Sequence, residues 1–502
     1  MHNNIPFIHL HVHSEYSMLD GVSRISEIVS RVKDLGMNSV ALTDHGVMYG
    51  VYEFWSTCNN AGIKPIIGCE IYVSPKEMGL RQDVNGIKYY HLLLLAKNLT
   101  GYKNLIKLVS RAHLEGFYYK PRADKNLLSE YAEGIICTSA CAAGPLGRHI
   151  LRDEAPLALE WLNFLRDLYK DDFYIEIQRH GLKSGDKMPT ELRDYTDEQI
   201  QGMKEQIKIN KKLIEWASEY KIPMIATTDS HYNVSNDELT QEVLFAIKDG
   251  KTLDDITRRT AYKHTYIKSV EEMEDTFKDL PDALINTQKL ADKVEQFDIR
   301  FGRVQPKFPK IPGNLTAKEY LRQLTLEGAN IKYGKVDEAL LERINMELDV
   351  IHDKGYDEYF LVVSDIMRWA RSQGIIVGVR GSGGGSVVAY SLEIINIEPI
   401  SWELYFERFL NPMRPSPPDI DMDIQDSRRD EVMDYVVKTY GKDNVCAISA
   451  FGRLKTRTAI RDVSRVMKID LSIADQLSKM VEILFGKPKS IDFFFSFLSF
   501  ST

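Results

Sequence analysis

The sequence has 502 residues, of which 44% are hydrophobic and 27% are charged, and its formal net charge is −8. A chain of this length and composition is typical of soluble globular protein in roughly three domains. The acidic balance neither indicates nor excludes nucleic-acid binding, because the position of the basic residues decides that question.

Five scattered cysteines argue against a disulfide framework, since none of them forms a CxxC pair. They are Cys58, Cys69, Cys137, Cys141 and Cys446. The N-terminus lacks a basic region followed by an apolar run, and no apolar stretch approaches the ~18 residues of a membrane span. We therefore expect a cytoplasmic protein without a signal peptide or a membrane partner.

The first 270 residues predict alternating strands and helices. The segment 7–13 alternates apolar residues with three histidines, and an amphipathic helix follows it. Further apolar runs, separated by helical stretches such as 102–115 and 201–220, lie at 39–42, 66–73, 91–96, 135–138, 173–177 and 224–226. This alternation predicts an α/β fold with a parallel sheet, open or closed into a barrel.

Potential metal ligands recur at or near the ends of these apolar runs. They are Asp44, His45, Glu70, His91, Cys141, Asp229 and His231. Parallel barrels carry functional groups at the rim where the chain leaves each strand, so we expect these side chains to converge there. A mixed set of nitrogen, oxygen and sulfur ligands suits zinc, manganese or iron. Taken singly, each residue has the alternative of a hydrogen-bonded core or surface side chain.

A glycine-rich run at 380–386 lies between apolar segments in the second half of the chain. Glycine lets the backbone approach a phosphate closely, and consecutive N–H groups ahead of a helix attract anions. Arg380, Gly381, Ser382 and Ser386 are therefore predicted to bind phosphate. A flexible glycine/serine linker is the alternative, which the tight apolar flanks disfavour.

Acidic residues alternate with apolar residues from 419 to 424. On a strand, Asp419, Asp421 and Asp423 would share one face, and Mg²⁺ or Mn²⁺ would relieve their repulsion. Two such ions would hold the attacking and leaving oxygens of a phosphoryl transfer. An edge strand with solvated carboxylates is the alternative. Beyond it, the segment 453–468 is locally basic.

Motifs in the first half resemble the PHP (polymerase and histidinol phosphatase) domain that opens the alpha subunit of bacterial DNA polymerase III. They occupy 9–21, 42–46, 68–70, 116–122 and 226–232. The resemblance implies a distorted seven-stranded β/α barrel with a trinuclear metal site, and metal-dependent phosphodiester hydrolysis as in a 3′–5′ proofreading exonuclease. It implies metal ligands at His11, His13, Asp20, His45, Glu70, His91, Cys141, Asp229 and His231. We interpret His9 as structural.

Motifs in the second half resemble the palm of the same family and stand in the same order. They occupy 380–390, 406–412, 418–423 and 459–463. The resemblance implies that the glycine run holds the triphosphate of a dNTP, and that Asp421 and Asp423, and with less weight Asp419, bind catalytic Mg²⁺. It identifies the basic segment with a helical thumb that grips DNA phosphates, through Arg453, Lys455, Arg457, Arg461 and Arg465. A solvated basic helix is the alternative for that segment.

The expected domains are a PHP domain at 1–270, an incomplete α+β palm at 271–430, a thumb-like segment at 431–485 and an atypical tail at 486–502. The resemblance implies a DNA-directed DNA polymerase with primer–template DNA, dNTPs and replisome subunits as partners. Because the family's third catalytic aspartate and its fingers have no counterpart, we expect a truncated or frameshifted chain. The alternatives are a stand-alone PHP metal-dependent phosphoesterase with a non-polymerising palm remnant, and a replisome scaffold.

Overall fold

This computed structural model describes residues 5–261, 263–302, 304–413, 418–484 and 487–491, apart from the side chain of Ser382. The chain forms two compact units. The first unit contains residues 1–299 and 453–502, and the second unit contains residues 300–452. The phenylalanine-rich part of the expected tail lies outside the described residues. No helix among the described residues is long and apolar enough to cross a membrane.

A seven-stranded sheet forms the centre of the first unit. Its strands are β1 (Ser39–Leu42), β2 (Lys64–Val73), β3 (Tyr90–Ala96), β4 (Arg122–Ala123), β5 (Ile135–Thr138), β6 (Phe173–Gln178) and β7 (Met224–Thr227). The strand order is β1-β2-β3-β5-β6-β7, and β4 pairs with β2 outside this path. Neighbouring residues point to opposite faces, so that Leu94 of β3 joins the main core and Leu95 joins a second buried cluster.

The sheet is mixed, and the prediction of a purely parallel sheet was wrong in this respect. β3 runs antiparallel to β2 and to β5, whereas the other pairs are parallel. A parallel neighbour needs a long crossover, usually a helix. The described connection at 74–89 contains no helix, so the chain reverses there and returns along β2.

The segment 7–13, which was predicted to be a strand, is not one in the structure, although it lies between the two end strands. The N–H of Ala41 in β1 donates to the carbonyl oxygen of His9 at 2.9 Å. On the other side, the N–H of His13 donates to the carbonyl oxygen of Ser230, just after β7, at 2.8 Å. The segment therefore links β1 to the chain beyond β7 by isolated hydrogen bonds rather than a continuous ladder.

Helices precede, separate and follow these strands along the chain. They are α1 (Ile25–Asp34), α2 (Val51–Ala61), α3 (Leu99–Glu115), α4 (Lys125–Glu130), α5 (Pro145–Leu151), α6 (Ala155–Tyr169), α7 (Asp197–Tyr220), α8 (Glu238–Asp249), α9 (Val270–Thr276) and α10 (Pro281–Lys293). The amphipathic pattern explains α1, whose buried residues Ile25, Ile28, Val29 and Val32 join the main core. A capping box between Thr196 and Gln199 begins α7.

The second unit is mainly helical, and its described residues include a short pair of strands that are distant in the sequence. Its elements are α11 (Ala317–Tyr333), α12 (Glu338–Asp353), α13 (Asp357–Ser372), β8 (Val377–Arg380), α14 (Val387–Ser391), β9 (Asp421–Ile424) and α15 (Arg429–Tyr440). β8 and β9 are antiparallel, with Arg380 opposite Asp421 and Gly378 opposite Asp423. This register brings the end of β8, where the glycine run begins, beside the acidic residues.

The chain then returns to the first unit. Its last described elements are α16 (Thr456–Val466), α17 (Leu471–Met480), β10 (Ile483–Leu484) and β11 (Lys487–Pro488). The N–H of Leu253 donates to the carbonyl oxygen of Val466 at 3.1 Å, and Nζ of Lys468 lies 2.5 Å from Oδ2 of Asp254. The C-terminal described segment is thus attached to the region that follows α8.

Candidate functional site

Glu70, from the buried part of β2, lies at the centre of the predicted ligands. Its Oε1 lies 3.0 Å from Nδ1 of His91 and 3.5 Å from Nε2 of His11. Its Oε2 lies 2.5 Å from Nδ1 of His45 and 3.9 Å from Nε2 of His13. One carboxylate therefore reaches four histidines that come from different parts of the chain.

Asp229, just beyond β7, forms a second centre of convergence. Its Oδ1 lies 3.2 Å from Nε2 of His11, 3.1 Å from Nε2 of His13 and 3.6 Å from Nδ1 of His231. Among the described residues, Asp229 Oδ1 and the Nε2 atoms of His11 and His13 are buried and lack a hydrogen-bond partner. Such atoms are uncommon in folded proteins, and these three are positioned to bind a common ligand.

The remaining predicted ligands complete the cluster. Asp20 lies 3.6 Å from Nε2 of His231 and 3.9 Å from Nε2 of His45, measured from its two carboxylate oxygens. The Sγ atom of Cys141 lies 3.6 Å from Oε1 of Glu70. Three sets of ligand atoms lie within 4.8 Å of one another, from His13, His45 and His231, from His11, His13 and Glu70, and from His45, Glu70 and His91.

A buried glutamate that the sequence analysis did not single out supports this cluster. Oε1 of Glu176, on β6, lies 2.7 Å from Nδ1 of His11. Glu176 also accepts hydrogen bonds from the hydroxyls of Thr138 and Thr227, each at 2.5 Å. A carboxylate on the far nitrogen of a metal-binding histidine fixes the ring and makes it a better ligand. In the sequence, Glu176 is marked by its position as an acid within the apolar run at 173–177.

Asp44 lies behind the ligands rather than among them. Nδ1 of His13 lies 2.9 Å from Oγ of Ser17, and that hydroxyl donates to Oδ1 of Asp44 at 2.7 Å. The N–H of Ser14 donates to the same carboxylate oxygen at 2.7 Å. This network fixes the ring of His13, as Glu176 fixes that of His11.

His9 does not contact the cluster through its Nε2 atom, which lies 2.9 Å from the carbonyl oxygen of Lys268.

Two carboxylates of the cluster, Glu70 and Asp229, have lowered pKa values. Burial would raise the pKa of Glu70, but His91 and His45 hold it well below its usual range. Burial would also raise the pKa of Asp229, but His11 keeps it well below its usual value. The pKa of His13 is lowered by burial and by the neighbouring His45. The pKa of His11 shifts the other way, because Asp229 and Glu176 outweigh burial and raise it well above its usual value. Carboxylates together with imidazoles are a ligand set for divalent metal ions.

The acidic residues of the second unit show the predicted alternation. Asp421 and Asp423 are exposed on β9, and Asp419 is exposed just before it, whereas Ile420 is buried. Nη2 of Arg380 lies 2.9 Å from Oδ1 of Asp423. The arrangement leaves the three carboxylates accessible to cations from solvent, with one cationic side chain beside them.

The glycine run has an internal carboxylate behind it, which the sequence did not indicate. The N–H groups of Val387 and Val388 each donate to Glu347 at 3.0 Å, and the buried hydroxyl of Ser386 donates to it at 2.8 Å. Glu347 on α12 thus caps α14, and Ser386 is bound inside the protein. Gly381 has a φ of 91°, which suits glycine.

The basic segment divides into two groups of residues. Arg453, Lys455 and Arg461 are exposed, and Arg461 pairs with Asp475 at 2.9 Å. Arg457 and Arg465 are only partly exposed. Nη2 of Arg457 donates to the carbonyl oxygen of Val481 at 2.8 Å, so that this arginine supports the fold around α17.

Two family models match the chain. Residues 9–180 match the PHP domain, and residues 319–491 match the bacterial DNA polymerase III alpha NTPase domain. These matches confirm the predicted fold class, an α/β PHP barrel followed by a palm and helices. The described helices and the seven-stranded sheet agree with that assignment.

Curated relatives extend the similarity to most of the chain. The DNA polymerase III subunit alpha of Borreliella burgdorferi is 43% identical over 95% of this chain, which covers 40% of that relative. The same subunit of Treponema pallidum is 41% identical over 95% of this chain and 39% of its own length. A solved two-domain protein from Bacteroides vulgatus is 15% identical to this chain, and the match covers 56% of this chain and 62% of that protein. Its TM-score of 0.28 is too low to inform the fold. The chain is similar to bacterial DNA polymerase III alpha subunits and spans about two fifths of the length of these two relatives.

Proposed function

We propose that the chain is the N-terminal part of a replicative DNA polymerase whose first unit hydrolyses phosphodiester bonds with bound divalent metals, as a 3′–5′ exonuclease. One observation carries this proposal. Three buried ligand atoms, from His11, His13 and Asp229, converge without hydrogen-bond partners. Folded proteins rarely leave such atoms unpaired, and a cation satisfies all three together.

The residues fit this chemistry in distinct roles. Divalent ions held here would neutralise the phosphate and lower the pKa of water. Glu70 contacts different histidines with its two oxygens, which suits a carboxylate shared between ions. Glu176 and Ser17 hold the rings of His11 and His13 in place. The mixed ligands favour Zn²⁺, Mn²⁺ or iron.

Metal content and nuclease activity of the whole chain test the proposal together. We expect stoichiometric metal in the purified protein and cleavage of single-stranded DNA with added Mn²⁺. His11→Ala should abolish cleavage, because it removes a ligand to the centre. His352→Ala, at a histidine of the second unit, is the matched control and should cleave normally. A wild-type chain without bound metal or cleavage would overturn the proposal, and so would a fully active His11→Ala variant.

The second unit supports nucleotidyl transfer as a further activity of the polymerase. The register of β8 and β9 places Arg380 opposite Asp421, so that the start of the glycine run lies beside the acids. Asp421, Asp423 and Asp419 would hold Mg²⁺, and Arg380, Gly381 and the main chain of Ser382 would contact the dNTP triphosphate, with Ser386 acting from inside through the helix cap. Primer–template DNA and replisome subunits are the partners that this activity requires.

Primer extension and cation binding test this second activity. In His11→Ala chains, which lack the first site, Mn²⁺ binding measured by electron paramagnetic resonance should weaken on Asp421→Asn and on Asp423→Asn. Asp434→Asn, on α15, is the control. Extension of a primer with dNTPs and Mg²⁺ would show that the chain polymerises. Equal Mn²⁺ binding by all these variants would exclude the metal role of β9.

A further inference from the structure

A cavity of about 110 Å³ lies in the second unit, lined by residues of α11, of α13 and of the end of α14. A Cβ at Gly328 would lie 1.9 Å from the carbonyl oxygen of Ser391, so α11 meets the end of α14 with no side chain between them. Because one water needs about 10–15 Å³, the cavity holds up to about ten non-hydrogen atoms. The residues that line it all lie outside the glycine run and β9.

Ser391 brings a buried hydroxyl to the wall of this cavity. The residue is 2% exposed, and its Oγ has no hydrogen-bond partner among the residues that the structure describes. The main chain beside it is satisfied, since the carbonyl oxygen of Leu392 accepts from Oγ of Ser364 at 2.8 Å, and that of Glu393 accepts from Arg371. Buried hydroxyls are rarely left unpaired, so this one is available to a molecule bound in the cavity.

Four charged side chains, two of each sign, also line the cavity. They belong to Glu327, Lys332, Arg368 and Glu393. Gln323 donates to Glu327 at 2.9 Å. The guanidinium of Arg368 and the carboxylate of Glu393, by contrast, form no hydrogen bond or ion pair within the described part of the chain. Opposite charges that share a small cavity without pairing can bind the two ends of one zwitterion.

Glu393 has an uncommon backbone conformation. Its φ is 59°, in the left-handed region, which glutamate rarely adopts. The N–H of Glu393 donates to the carbonyl oxygen of Tyr390 at 3.1 Å, and the N–H of Ile394 donates to that of Ala389 at 2.9 Å. The main chain that carries the carboxylate is thus fixed before any ligand arrives, which lowers the cost of binding. Residues held in this way concentrate at ligand sites.

Apolar carbons complete the wall. They come from Leu324 and Ile331 of α11 and from Leu392. Ile331 is 80% exposed, so a ligand with an apolar part would cover carbon that otherwise faces water. A purely ionic ligand such as inorganic phosphate would leave this wall unused and would meet the two carboxylates. The lining therefore fits a small molecule with an ammonium group, a carboxylate and an apolar side chain.

We propose that this cavity binds a free α-amino acid with an apolar side chain, with its carboxylate on Arg368 and its ammonium group on Glu393 and Ser391. The inference is independent of both proposed activities, because no residue of the metal centre, the glycine run or β9 takes part in it. The bound amino acid would link α11, α13 and the end of α14, and would stabilise the second unit as its concentration rises.

Equilibrium dialysis of the whole chain against radiolabelled L-leucine tests the inference. We expect saturable binding of one leucine per chain. Arg368→Gln and Glu393→Gln should each weaken binding at least about tenfold, because each removes a charged partner. Arg429→Gln is the matched control, since Arg429 is also an exposed arginine of the second unit and lies outside the lining. Ser391→Ala should weaken binding without lowering the free energy of unfolding, because its hydroxyl has no partner to lose.

Two analogues of leucine test the zwitterion itself. Isocaproate lacks the ammonium group and isopentylamine lacks the carboxylate, so each should compete with leucine at least about tenfold more weakly than unlabelled leucine does. Equal competition by either analogue would overturn the proposal. So would a wild-type chain that retains no leucine at millimolar concentration, or leucine binding that neither Arg368→Gln nor Glu393→Gln changes.

Discussion

Nδ1 of His11 lies 2.7 Å from Oε1 of Glu176, and both side chains are shielded from solvent. The bond leaves Nε2 of His11 on the side of Asp229, 3.2 Å from its Oδ1. Glu176 therefore orients the Nε2 atom of His11 towards the ligand cluster without contacting a metal itself. We expect the contribution of Glu176 to appear as a higher metal affinity.

Glu176→Gln should lower metal affinity by about 10–100-fold, because the amide is a weaker partner for the ring of His11. Competition with a chromogenic chelator, followed by metal analysis of the protein, measures the change. Glu347→Gln replaces an equally buried glutamate in the second unit and should leave the affinity unaltered. Equal affinities of Glu176→Gln and wild type would mean that the ring needs no such support.

Two neighbouring glycines of the second unit should respond differently to alanine. A Cβ at Gly385 would lie 2.4 Å from the carbonyl oxygen of Tyr405, whereas at Gly384 the nearest atom is a side-chain carbon of Leu404 at 3.9 Å. Gly385→Ala should therefore lower the free energy of unfolding by about 1–3 kcal/mol, and Gly384→Ala should change it little. Urea unfolding measures both. Equal stabilities would show that the backbone near Tyr405 shifts at no cost.

The exposed residues of the basic segment should contribute to the salt dependence of DNA binding. Arg453→Gln and Lys455→Gln should each reduce the slope of log K against log salt by about one unit, since each removes one phosphate contact. Fluorescence anisotropy with duplex DNA measures the slope. Arg457→Gln should chiefly lower the melting temperature, because that guanidinium bonds the carbonyl of Val481. Unchanged slopes for the first two variants would support a solvated helix.

Glu398 should make the second unit sensitive to acid. Burial would raise the pKa of its carboxyl, but hydrogen bonds from Ser401 and Tyr333 lower it from 4.5 to about 2. Because the pKa is lower in the folded state, the stabilisation is complete above the unfolded pKa and is lost as the pH falls towards the folded one. Glu398→Gln should remove about 1–2 kcal/mol of the pH dependence in this window. Urea unfolding of both proteins at a series of pH values measures this dependence. The prediction is contradicted if the free energies of unfolding of the two proteins change in parallel with pH.

Local patterns in the sequence were sufficient for much of the fold. The predicted runs at 39–42 and 135–138 coincide with β1 and β5. The convergence of His45, Glu70 and Asp229 could be predicted because strand ends meet at one rim. The family resemblance added His11, His13 and Asp20. The orientation of β3 could not be predicted, since a chain reversal between β2 and β3 leaves no mark on the periodicity of either strand.

The roles of the buried glutamates Glu176 and Glu347 could not be predicted from the sequence, for a different reason. Glu176 bonds Thr138 and Thr227, and Glu347 bonds the start of α14, all across long stretches of sequence. Nothing near either glutamate in the sequence identifies those partners. The segment 7–13 shows the opposite error, because its regular alternation resembles a strand while its backbone bonds to both neighbours only at intervals.

The first unit consists of two separate chain segments, and this has a consequence for its synthesis on the ribosome. All seven strands and the predicted metal ligands precede residue 300, but α16 and α17 follow the whole second unit. At ordinary translation rates, synthesis of the second unit, which separates these two segments, takes on the order of ten seconds. A nascent barrel can therefore assemble and take up metal while the surface near α8, which α16 later covers, is still open to chaperones.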